Sequence, residues 1–248
     1  MTAALLCARA NAGAPNATAL IEDAKLYVTA PLRWDAEDWG YFGGTLVAIA
    51  AAHEYDDNVR AHFSNASALK DGKDKNDTRD LMPAAAIVGL TWAYAALLHD
   101  SAGYNEGRSM VEAAGFTVVS TTVLKYAAGR LRPDETTRVD DWRHSGTSFP
   151  SMHTSVTFAI GGVLAESGND DDRWLRRLLG YGIASAVAYS RVHDNVHWLS
   201  DVVAGAALGL STARFVVNRD EERRNRYSLN VAPTEGGGAM LTYTLRFN

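Results

Sequence analysis

Residues 148–167 read Ser-Phe-Pro-Ser-Met-His-Thr-Ser-Val-Thr-Phe-Ala-Ile-Gly-Gly-Val-Leu-Ala-Glu-Ser. Ser148 is a fitting N-cap and Pro150 is tolerated in a first turn, so the segment predicts a helix over 150–167 carrying the apolar run Val156 to Leu164. Gly161 and Gly162, like Gly205 and Gly209 further on, read as positions of close helix packing. Such a start leaves the amides around Ser151, Met152 and His153 without intrahelical partners, which makes an anion site. Outward from here, apolar spacing and breaker residues predict helices near Asp35–Glu54, Leu81–Asp100, Gly107–Ala128, Asp172–Arg191 and Asn195–Asp220. The expected fold class is all-α, a single helical bundle of about six core helices, with a C-terminal β-hairpin.

The 248-residue chain is 47% apolar and 21% charged, ordinary for one globular domain, and a chain of this length buries roughly three-quarters of its unfolded surface. Abundant alanine and 21 glycines, beside few β-branched runs, favour closely packed helices over sheet. Leu81 to His99 carries no formal charge and is long enough for a membrane span. Pro83, Gly89, Thr91, Trp92 and Tyr94 dilute it, and a mean hydropathy of −0.16 is too polar for a bundle of many spans, so it reads as a core helix. The net charge of −5 and the lack of a basic block give no footprint for nucleic acid. Cys7 is the single cysteine, which excludes an intrachain disulfide and a cysteine-based zinc site.

Between the first two helices, Glu54 to Asp80 is polar and reads as a solvated loop or a mobile cover over a site. At the N-terminus a short apolar run precedes Ala10-Asn11-Ala12, which suits the small-residue rule of a signal-peptidase site. Residues 1–14 are therefore expected to be an export-signal remnant or an alanine-rich, disordered tail, and the remnant implies a periplasmic or otherwise exported protein. Residues 15–226 form the helical domain. From Tyr227 the period changes to two, with Gly236, Gly237 and Gly238 supplying turn chemistry before Leu241, Tyr243, Leu245 and Phe247. Residues 227–248 thus predict a hairpin that packs on the bundle or pairs with another chain.

Three constellations carry chemistry. Lys125 and Arg132 in Lys-Tyr-Ala-Ala-Gly-Arg-Leu-Arg-Pro133 stand two helical turns apart, so they can converge on one anion, or merely serve the dipole of a helix end. His153 follows Ser151 and Met152 in the first turn of the quoted segment, as a catalyst or as a structural polar residue. The third constellation is Ser190-Arg191 followed by Asn195, His197 and Asp201. Asn195 can cap a helix that puts His197 and Asp201 on one face, where the carboxylate holds one imidazole nitrogen and frees the other as nucleophile or base. A local ion pair is the alternative. Trp142, His144, His193, Trp198 and Tyr126 flank these motifs and read as packing.

In this order and spacing, K-x-x-x-x-x-x-R-P, P-S-x-H and S-R-x-x-x-x-x-H-x-x-x-D resemble the signature of the type two phosphatidic acid phosphatase and vanadium haloperoxidase superfamily, over Lys125 to Asp201. The resemblance implies that His197 attacks phosphorus to form a phosphohistidine, that His153 protonates the departing alkoxide and then activates water, and that Asp201 orients His197. Lys125, Arg132, Arg191, the Ser151 hydroxyl and nearby amides, that of Met152 included, would hold the phosphate oxygens. The family usually has glycine where Met152 stands, so the Met152 side chain is expected to point away from the phosphate. The implied function is a metal-independent phosphatase of phosphomonoesters or diphosphates, lipid phosphates included, needing no cofactor. Its partners would be a phosphate-ester substrate and a membrane surface touched peripherally. Vanadate would act as an inhibitor. The alternatives are a vanadate-dependent haloperoxidase with vanadate bonded to His197, and a non-catalytic protein binding phosphate or lipid headgroups.

Overall fold

The computed structural model describes residues 17–67, 81–98, 100–168, 171–233 and 239–245. The 1–14 segment read as an export-signal remnant lies outside them. Eight α-helices follow in order: α1 Ala17–Val28, α2 Ala36–Glu54, α3 Asp56–Ser67, α4 Met82–Leu98, α5 Ser101–Ala128, α6 Met152–Glu166, α7 Arg173–His193 and α8 Leu199–Arg226. A 3-10 turn, Ala30–Arg33, links α1 to α2. The strands β1, Tyr227–Pro233, and β2, Ala239–Leu245, follow α8 and pair antiparallel, with Tyr227 opposite Leu245 and Pro233 opposite Ala239.

Among the described residues the all-α class is found, with eight helices where about six were expected. The two additions have plain causes. Part of the polar stretch from Glu54 is α3, started by Asp56 and Asp57 in the first turn, where acidic groups favour the helix dipole. α1 is short and is held by long-range contacts: Tyr27 stacks on Phe116, and its hydroxyl lies 2.8 Å from the Thr212 hydroxyl. Asp23, buried on α1, takes bonds from Arg219 and Arg223 of α8. Elsewhere local signals set the boundaries. Asp35 caps α2 in a reciprocal box with Asp38, and Asp100 accepts from the amides of Ala102 and Gly103 at the start of α5.

α6 is the inner helix, packed by α5, α7 and α8. Val156, Ala159, Ile160 and Val163 from α6 meet Ile87 of α4, Met110 and Ala113 of α5, and Ala213 and Val216 of α8 in the main core. The small residues along α8 let it approach closely. A methyl group on Gly205 would fall 2.8 Å from the Ser151 carbonyl oxygen, and one on Gly209 would fall 2.3 Å from that of Ser155. The start of α6 is thereby clamped against the start of α8.

The Leu81–His99 stretch is not the core helix it was read as. On α4 only Ala84, Ile87 and Ala95 are buried, while Leu90, Trp92, Tyr94, Leu97 and Leu98 are exposed. Trp39, Phe42, Leu46 and Val47 of α2, Val118, Val119 and Val123 of α5, and Trp174, Leu175 and Leu178 of α7 are exposed as well. These exposed large apolar side chains thus come from four helices, α2, α4, α5 and α7. α8 is long and apolar enough over Leu199–Arg223 to cross a membrane by length and composition, yet more than half of its most apolar window is buried inside the fold. Away from the motif residues, a cavity of about 810 Å³ opens between α4, α5, α6, α7 and α8, lined by Leu90, Arg108, Leu164, Arg176, Ile183 and Asp220 among others.

Candidate active site

Four helix ends converge. α5 stops at Gly129, which adopts φ 57° and donates its amide to the Lys125 carbonyl, so Lys125 lies in the last turn and Arg132 beyond it. The two cations were expected two helical turns apart. Instead the left-handed glycine ends the helix, and the loop 129–132 turns the chain back. Only glycine fits there, since a Cβ would lie 2.2 Å from the His144 carbonyl oxygen. The loop is fixed by main-chain bonds from His144 to Gly129 and from Ser148 to Arg130, each 2.9 Å, and by the Trp198 indole, which donates to the Leu131 carbonyl at 2.9 Å. Lys125 donates its ammonium to the carbonyls of Thr147 and Ser148. Burial first, and then the Arg132 charge, push the Lys125 ammonium down to about 8. Burial likewise lowers the buried Arg132.

Ser148 does not cap α6. The helix begins at Met152 with Ser151 as N-cap, and the Ser148 hydroxyl turns inward to the Asp201 carboxylate. The Ser151 amide donates to the Asp201 carbonyl at 3.0 Å, which ties the P-S-x-H segment to α8. Thr154 donates to the buried Ser151 hydroxyl at 3.1 Å. The Met152 side chain packs against the main hydrophobic core. His153 occupies the first turn of α6, partly exposed.

α8 starts at Leu199, so Asn195 is not its cap and His197 precedes the helix. Asn195 adopts φ 57° just after α7 and reverses the chain. The Arg191 carbonyl then accepts the amides of both Val196 and His197 at 3.2 Å. Arg191, buried in the last turn of α7, has its guanidinium 3.7 Å from the Asp194 carboxylate. His197 and Asp201 still meet, although the path is a loop: Nδ1 lies 3.4 Å from Oδ2. The Asp201 carboxylate also accepts from the Trp198 amide at 3.0 Å and from Arg130 Nη1 at 2.7 Å. Burial raises the Asp201 pKa, but the His197 bond and the Arg130 charge outweigh it, and the group is held below the usual carboxylate range. His197 is pushed down to about 3, by burial first; the Asp201 bond opposes this, and the Lys125 charge adds to it. The ring is neutral at physiological pH.

Sequence reasoning passed over the buried group behind Asp201. The fully buried Arg130 donates Nη1 to Asp201 and to the Ser200 hydroxyl, each at 2.7 Å, and Nη2 to Asp56 at 2.7 Å. Asp56 also takes the Ser200 amide at 2.8 Å and the Ser200 hydroxyl at 2.6 Å. Trp142 and Trp198 lie 4.4 and 5.1 Å from the Arg130 guanidinium, so these flanking aromatics hold a cation. The available signal was Arg130 inside the first motif; nothing local marked Asp56. Among the described residues no group of three or more His, Cys, Asp or Glu is placed to hold a metal ion. The Lys125 and Arg132 charges thus act on a neutral imidazole backed by a carboxylate, and the Arg191 charge acts on Arg132.

Residues 106–225 match the family model of the PAP2 superfamily. The chain is similar to lipid A 1-phosphatase of Porphyromonas gingivalis, 38% identical over 86 residues, which are 35% of this chain and 17% of that one. It is also similar to a PA-phosphatase related-family protein of Dictyostelium discoideum, 35% identical over 123 residues, covering 43% of this chain and 45% of that one. The chain thus spans less than half the length of the curated relatives it matches. Among solved structures, it is similar to a transmembrane PAP2-type phosphatidylglycerolphosphate phosphatase from Bacillus subtilis, with TM-score 0.47, 23% identity, and coverage of 74% of this chain and 95% of that one.

Proposed function

We propose, from the match of residues 106–225 to the family model of the PAP2 superfamily, that this chain is a metal-independent phosphatase acting on lipid phosphates through a phosphohistidine. The observation that carries this reading is the pairing of the neutral His197 ring with the ionised Asp201. That pairing commits Nδ1–H to the carboxylate and leaves Nε2 as the nucleophilic atom. Nε2 attacks phosphorus as the P–O bond to the leaving alkoxide breaks, and His153 gives that alkoxide its proton. His153 then takes a proton from water, whose oxygen attacks phosphorus and releases His197 and inorganic phosphate. Lys125, Arg132 and Arg191, with the Ser151 hydroxyl and the Met152 amide, stabilise the charge on the non-bridging oxygens, which is the main work in phosphoryl transfer.

The exposed apolar surface of α2, α4, α5 and α7 supports a lipid substrate met at a bilayer. The name of the similar lipid A 1-phosphatase points to the same substrate class. A position on the exported side of a membrane fits this reading. The test is a panel of soluble phosphomonoesters, lipid phosphates and isoprenoid diphosphates compared by kcat/KM, with His197→Ala as the control. Turnover and acid-labile phosphate on the wild-type chain are expected, and both should vanish in His197→Ala. Wild-type activity in that variant would end the assignment.

A further inference from the structure

We propose that Asp56 and Arg130 are positioning residues for this hydrolysis, setting the Asp201 carboxylate and the start of α8 and, through them, the ring of His197. The inference rests on the functional reading above. Asp56 lies at the α2–α3 junction, outside the family segment, and reaches α8 across 144 positions of sequence. Its Oδ1 accepts the Ser200 amide, in the first turn of α8, where orphan donors need partners. Its Oδ2 accepts both the Ser200 hydroxyl and Arg130. Arg130 therefore divides its two terminal nitrogens between Asp56 and Asp201, and both ion pairs are fully buried. A planar fork serves two carboxylates at once, which a point charge on a flexible stem does not.

At the outer edge, His53 places Nδ1 3.0 Å from Asp56 and Nε2 3.0 Å from Asp140, closing the group where it meets solvent. The geometry has a directional consequence. With the Asp56 carboxylate in place, Arg130 is pulled from both sides and takes only Oδ1 of Asp201, which leaves Oδ2 to His197 Nδ1, the Ser148 hydroxyl and the Trp198 amide. Without that charge the guanidinium is drawn to Asp201 alone, and the carboxylate loses its hold on the ring.

Asp56→Asn separates charge from capping, because an amide oxygen still accepts the Ser200 amide. The expected result is a melting temperature close to wild type, KM within about threefold and kcat lower by at least about tenfold. Asp56→Ala should lose both stability and kcat. Wild-type kcat in a stably folded Asp56→Asn would reduce Asp56 to a structural cap and overturn the inference. Should Asp56→Asn fail to fold, Ser200→Ala, which keeps both charges and removes a shared partner, is expected to lower kcat at least about threefold; an unchanged kcat there also overturns it. The tautomer of His197, read by nitrogen NMR on the full chain without substrate, decides independently. The Nδ1–H form should dominate in wild type and give way to Nε2–H in Asp56→Asn or Ser200→Ala, and an unchanged tautomer would refute the proposal. A wild type that hydrolyses nothing in the panel would end the functional reading, while the tautomer still decides this one.

Discussion

Gly161 and Gly180 meet backbone to backbone where α6 crosses α7: a methyl group on Gly161 would lie 2.4 Å from the Gly180 carbonyl oxygen, and one on Gly180 would lie 2.2 Å from that of Gly161. Neither helix can yield without disturbing a core face. Gly161→Ala should therefore cost about 1–3 kcal/mol despite its better helix propensity. Gly182, on the open side of α7 with nothing within 4 Å, is the matched control. Gly182→Ala should gain about 0.5–1 kcal/mol. Urea unfolding of the two variants checks both signs.

Lys125 predicts the alkaline limb of activity. Its ammonium is pushed down to about 8, so the proposed site loses one positive charge as pH rises through that value. The kcat/KM profile, which reports the free enzyme, should fall above about pH 8. Lys125→Arg, whose charge persists, should move that limb beyond the assay range. A limb unchanged in the variant would assign it to another group.

Glu112 predicts a stability effect remote from the motifs. Its side chain is 6% exposed, Oε1 has no hydrogen-bond partner among the described residues, and Arg223 is 4.0 Å from Oε2. Burial raises its pKa from 4.5 to about 7. Between those values the unfolded chain releases a proton that the folded chain keeps, so stability falls as pH rises through this window, by up to about 3 kcal/mol. Glu112→Gln should be more stable than wild type at pH 8, with the gain shrinking toward pH 4. Denaturation at the two pH values reads the difference.

The cations of the proposed site predict how anions and metals act. Arg132→Ala and Arg191→Ala should each cost about 2.7–4 kcal/mol in kcat/KM, the scale of one lost oxyanion donor. Arg132→Lys should recover only part, because its flat fork is not reproduced. Vanadate should compete with substrate, and less tightly in His197→Ala. Chelators should leave hydrolysis intact; loss on chelation, restored by a divalent ion, would contradict the mechanism.

The helices with strong apolar spacing were legible from sequence to within a few residues at most ends, and so were the small residues of α6 and α8. α3 was hidden because its polar composition resembles a loop, and it is held by Val59 and Phe63 packing against α7 and α8. α4 misled in the other direction: apolar content says that a helix avoids water, not whether protein or something else covers it. At the site, the motifs named Lys125, Arg132 and Ser151, which the fold brings near His197 and Asp201, but not the way it brings them there. Lys125 and Arg132 do not share a helix, and neither do His197 and Asp201, since helical spacing cannot foresee a left-handed Gly129 or Asn195. Asp56 was illegible for a further reason: its partners lie across the whole chain, and long-range pairing leaves no local pattern.

The doubly bonded carbonyl of Arg191 makes the five residues between Arg191 and His197 a ruler. In the proposed mechanism one end carries a cation that holds the phosphate oxygens and the other carries the ring that attacks its phosphorus, so the distance between grip and attack is written into the main chain. Val192 and Asp194 inside the ruler are buried against partners, whereas its position 195 can vary, and Asn195→Gly suits the left-handed turn there. The length of the ruler cannot, because one residue more or fewer would swing the imidazole off Asp201 while leaving every motif residue in place.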